Sequence, residues 1–119
     1  MIQYIFNKYN AENYCDILKD FNLGLDIYYY PSYLSFDAKI QGGEFEIFVL
    51  IENEFIFIYP YIKIGFNISE LKNKFDIISP YGYCGPYSNN PLFFKRAELF
   101  FIKYASVFCV TEFIRYHYL

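Results

Sequence analysis

The stretch EFEIFVLIENEFIFIYPYI, residues 44–62, decides the fold. Two runs rich in β-branched and aromatic residues, Glu44 to Ile51 and Phe55 to Ile62, flank Glu52-Asn53-Glu54, a link short enough for an antiparallel hairpin. Successive side chains of a strand point to opposite faces, and here both phases are largely apolar. The hairpin is therefore expected inside a sheet that helices cover.

Working back from the hairpin, Gly42-Gly43 stops a short helix, Ser32 to Gln41, with Pro31 at its first position, where the missing N–H costs nothing. Asp26 to Tyr30 reads as extended. Before it, Asn10 offers an N-cap to a helix that carries Tyr14, Ile17, Leu18 and Phe21 on one face and that Gly24 closes. Met1 to Phe6 reads as a first strand.

Working forward, a polar loop around Asn67 to Lys74 leads to a brief strand, Phe75 to Ser79, and then to the turn-rich run Pro80 to Pro86. Asn89 or Asn90 caps a helix with Pro91 in its first turn. Phe93, Ala97, Phe100, Phe101 and Tyr104 form its buried face, and Lys95, Arg96, Glu98 and Lys103 its wet one. Val107 to Ile114 reads as the last strand. The order β-α-α-β-β-β-loop-α-β predicts an α+β fold, with a mixed, mostly antiparallel sheet flanked by helices.

The 119 residues suit a single domain, residues 1–119, large enough to bury a core. A hydrophobic share of 55% against 19% charged residues excludes disorder and low complexity. Fifteen Tyr and fifteen Phe make the chain unusually aromatic. A net charge of -3, with no Lys/Arg cluster, supplies no field for a polyanion, so no nucleic acid is expected as partner. Cys15, Cys84 and Cys109 are odd in number and lack metal-ligand spacing, which points to reduced thiols and a cytoplasmic location. Cys15 and Cys109 read as small core residues. Met1 to Phe6 has no basic region before it, so no signal peptide is read. No apolar run reaches the roughly 18 residues of a spanning helix.

Three segments carry a resemblance: Asp26-Ile27-Tyr28-Tyr29-Tyr30-Pro31-Ser32-Tyr33, the run Asp76 to Pro86, and Glu112-Phe113-Ile114-Arg115-Tyr116-His117. In this order they resemble Fem-like GNAT acyltransferases, relatives of the bacterial peptidoglycan-bridge aminoacyltransferases of the cell envelope. The resemblance implies a partial GNAT-like fold corresponding to the N-terminal part of such an enzyme, an incomplete unit whose second half would carry the donor site. It implies acyl or aminoacyl transfer to an amine, with acyl-CoA or aminoacyl-tRNA as donor in a complete member and no cofactor bound by this chain alone. On that reading the isolated chain is inactive. It pairs with a complementary C-terminal half or with itself through the last strand. The sequence departs from the family at Cys84, where Gly is usual, and at Tyr118, where Pro is usual.

The resemblance makes Tyr81, Gly82, Tyr83, Arg115 and His117 the candidate substrate-binding residues, with no catalytic residue and no metal ligand. A phosphate cradle at Gly82 and Gly85 is disfavoured because Pro86 and Pro91 remove N–H donors. The two glycines read better as turn formers. A Cys84–His117 nucleophile pair is weaker than two unrelated residues, and Glu44, Glu46 and Glu98 read as surface charges. The alternative from another class is a small non-catalytic binding or assembly module that meets a protein partner through its aromatic faces.

Overall fold

A computed structural model describes residues 1–66, 73–79 and 85–113. Its strands are β1 (Ile2–Phe6), β2 (Glu44–Glu52), β3 (Phe55–Gly65), β4 (Phe75–Ile78), β5 (Tyr87–Ser88) and β6 (Cys109–Phe113). Its helices are α1 (Ala11–Asp20), α2 (Pro31–Gln41) and α3 (Pro91–Ala105). The strands lie in the order β1-β2-β3-β4-β6, and β5 pairs with β3 beside that path. All pairs are antiparallel except β4 with β6. The protein is thus α+β, with a mostly antiparallel sheet flanked by helices.

The hairpin forms as its pattern requires, from Glu44↔Lys63 to Glu52↔Phe55, around a turn in which Asn53 takes a φ of 56°. Period two then sorts its side chains. Phe45, Ile47, Val49, Ile56, Ile58 and Ile62 enter the core beneath α1 and α2. Phe48, Leu50, Phe57, Tyr59 and Tyr61 enter a second core beneath α3.

Turn chemistry differs from expectation in three places. Asn22, not Gly24, ends α1: it adopts a φ of 53°, while Asn22 N–H reaches the Lys19 carbonyl and Leu23 N–H the Leu18 carbonyl. Gly42 plays the same part for α2, as expected, where Gly43 N–H bonds the Ala38 carbonyl. Asn10 does not cap α1. Its side chain turns back instead, accepting from Asn7 N–H at 2.7 Å and donating to the Ile5 carbonyl at 3.2 Å, which fixes the exit from β1. Asp26 to Tyr30 is not wholly extended, because Tyr29 and Tyr30 N–H groups bond three residues back and make a 3-10 turn over Ile27–Tyr29.

Asn89 and Asn90 divide two tasks. Asn90 caps α3 through Phe93 N–H at 2.9 Å, whereas the Asn89 amide clamps the hairpin turn by accepting from Ile56 N–H and donating to the Glu54 carbonyl. Phe93, Ala97, Phe101 and Tyr104 face the sheet as expected, but Phe100 lies at the margin of that stripe and is exposed. Val107 belongs to the turn closed by Phe108 N–H on the Ala105 carbonyl, so the last strand starts two residues later than its composition suggests. Ile114 lies outside the described residues. Cys15 and Cys109 are half-buried rather than fully in the core.

Candidate functional site

Tyr81, Gly82, Tyr83, Arg115 and His117 lie outside the described residues, as does Cys84. The strand ends that lead to them are described. β4 and β6 run parallel, with Ile78 beside Phe113, so the chain enters residues 80–84 and residues 114–119 from neighbouring points at one end of the sheet. Two of the three resembling segments are also tied together. The Tyr29 hydroxyl donates to the Gly85 carbonyl at 2.7 Å, and Tyr14 donates to the Tyr29 carbonyl at 2.7 Å, so α1, the 3-10 turn and the chain before β5 share one buried chain of hydrogen bonds.

At the N-terminus of α3, where helix N–H groups could meet a phosphate, three positions offer no free donor. Pro91 has none, Phe93 N–H is held by the Asn90 side chain, and Phe94 N–H by the Asn90 carbonyl at 2.9 Å.

The polar cluster that the sequence did not single out lies on the α3 side of the sheet. Glu46 stands in phase with Phe48 and Leu50, hence pointing inward, and the register sets it opposite Tyr61. One carboxylate oxygen, Oε1, accepts from the Tyr61 hydroxyl and from Tyr104 Oη at 2.9 Å, while Oε2 faces Lys63 Nζ at 3.5 Å. The Lys63 ammonium also lies 4.4 Å from the ring centres of both Phe75 and Phe108. Glu46 is therefore not the surface charge its type suggested. An acid two residues before a buried Phe, on the same strand phase, was the available signal.

Burial and the adjacent Glu46 carboxylate push the Tyr61 hydroxyl well above the usual tyrosine range, and the same two causes raise Tyr104. Neither hydroxyl releases its proton near neutrality. Both tyrosines donate to Glu46 and a lysine stands beside it, so the cluster is a closed set of polar partners at the edge of the aromatic core. Lys63 also reaches a shallow cavity of about 410 Å³ lined by Gly42, Gly43, Glu44, Gly65 and Phe75. A second cavity, about 140 Å³, lies between the end of β1 and α2, with Lys8, Ser35 and Lys39 on its wall. Among the described residues no cluster of His, Cys, Asp and Glu could hold a metal ion, and no helix is long and apolar enough to cross a membrane.

Searches against family models, curated proteins and solved structures returned no match for the chain.

Proposed function

We propose that the chain is the acceptor-side, N-terminal portion of a Fem-like GNAT acyl- or aminoacyltransferase acting on an amine, and that it does not catalyse alone. The observation that carries this reading is the parallel β4–β6 pair, formed through α3 in an otherwise antiparallel sheet, with its two carboxyl ends adjacent. Ligands of open sheets gather outside the carboxyl ends of parallel strands. Tyr81, Gly82 and Tyr83 follow one of those ends and Arg115 and His117 the other, which supports a shared role in acceptor binding. The donor, acyl-CoA or aminoacyl-tRNA, would belong to a complementary half, since Pro91, Phe93 and Phe94 offer no free N–H at the start of α3.

Calorimetry with acetyl-CoA tests this. Binding to the isolated chain is expected to be no tighter than millimolar. Micromolar binding that a Gly82 substitution abolishes would overturn the proposal.

The assembly-module reading is favoured by a different observation: β6 ends the order of described strands, so its outer edge is a place where another chain could add a strand. Both readings expect association through this edge, so light scattering over a concentration series tests the edge itself, and a chain that stays monomeric at high micromolar concentration would count against both.

A further inference from the structure

The outward face of α3 differs from every other exposed surface described. Leu92, Leu99 and Ile102 are 74%, 68% and 60% exposed, and Val107, just past the helix, is 73% exposed. At 100° per residue Leu92 and Leu99 fall on one line, opposite the buried Ala97 and Phe101. Basic side chains are interleaved with them: Lys95 and Lys103, about two turns apart, are exposed on the same outward flank, and Lys74 donates to the Val107 carbonyl at 2.6 Å, placing a further ammonium at the helix end. Arg96 is also on this face, paired with Glu52. Glu98 lies on this helix as well, so Lys74, Lys95, Arg96 and Lys103 against Glu52 and Glu98 leave a local balance of two positive charges around these apolar side chains, in a chain whose net charge is -3.

From this we infer that the outer face of α3 docks on an anionic lipid surface. Charge complementarity names the sign of the partner, and the interleaving of exposed Leu92, Leu99 and Ile102 with Lys95 and Lys103 on one helix flank is the pattern of a helix that lies in a lipid interface. Leu92, Leu99 and Ile102 would enter the headgroup boundary while the lysine stems lie along it and their ammonium groups meet lipid phosphates. The other exposed apolar pair on a helix, Phe36 and Ile40 on α2, has one lysine, Lys39, beside it and is the internal control.

Flotation of the full chain with vesicles of phosphatidylcholine, with and without phosphatidylglycerol, tests the inference. Binding is expected only with the anionic lipid and is expected to fade in high salt. Lys95→Ala with Lys103→Ala should weaken it by more than about tenfold. Leu99→Ser with Ile102→Ser should weaken it at unchanged circular dichroism, and Phe36→Ser with Ile40→Ser should leave it as it was. Equal partitioning onto neutral vesicles, indifference to the α3 substitutions, or binding of polyglutamate without binding of vesicles would overturn it.

Discussion

The two faces of the sheet are built from one hairpin and yet solve burial differently. Beneath α1 and α2 the hairpin contributes mainly Ile and Val: Ile47, Val49, Ile56, Ile58 and Ile62. Beneath α3 it contributes Phe48, Phe57, Tyr59 and Tyr61, against which Phe101 packs with ring centres 5.2, 4.5 and 5.5 Å from Phe48, Tyr59 and Tyr61. The aliphatic face has no polar atom of its own on these strands. The aromatic face carries tyrosine hydroxyls, and these allow Glu46 and Lys63 to stand at its edge with partners. An aromatic core thus tolerates a charged cluster that an aliphatic one would exclude, because tyrosine supplies both apolar ring and hydrogen-bond donor.

The largest expected effect comes from Phe101, the ring at the centre of the aromatic face. Phe101→Ala should destabilise the fold by about 3–5 kcal/mol, since neighbouring rings cannot collapse into the space. Urea unfolding measures it, and a loss below about 1.5 kcal/mol would mean that the rings are not packed as a unit.

Glu46→Ala is expected to cost about 1–3 kcal/mol, because the buried Tyr61 hydroxyl loses its acceptor. Replacing Glu46 and Tyr61 together by Leu and Phe should recover most of that loss. Alkali sharpens the same point. Tyr61 and Tyr104 stay protonated in the folded chain above the ordinary tyrosine value near 10, whereas in the unfolded chain they ionise there. The unfolded state then binds fewer protons, so the stability these groups contribute is whole below about pH 10 and falls as the pH rises beyond it. Denaturant midpoints measured from neutral to strongly alkaline pH should show this slope and show less of it in the double variant.

The smallest effect is expected on the aliphatic face, where Ile58→Val removes one buried methyl and should cost about 0.5–1.5 kcal/mol. If Ile58→Val proves as costly as Phe101→Ala, the contrast between the faces fails.

Much of this was legible in the residues, and particular losses show where reading stops. The hairpin, the Pro31 start of the second helix and the inward Phe93-Ala97-Phe101-Tyr104 stripe follow from local steric rules that act within a few residues. The two-residue strand β5 was not legible, because Tyr87-Ser88 has no period to read and pairs with Phe57 and Ile58 some thirty residues away. Asn10 does not cap α1, and Asn22 rather than Gly24 ends it, since whether such a residue caps, turns back or adopts positive φ is decided by what surrounds it.

The sequence by itself determined the strands other than β5, the helices and the presence of two buried hairpin faces, for periodicity is a property of the backbone and needs no distant partner. Only the tertiary structure decided that β6 lies parallel to β4, that Tyr29 reaches Gly85, and that Glu46, Tyr61, Lys63 and Tyr104 meet. Each of those joins residues between 15 and 58 positions apart. Register and helix docking bring such residues together, and a pattern read along one strand or one helix carries no information about which of its polar side chains will find another.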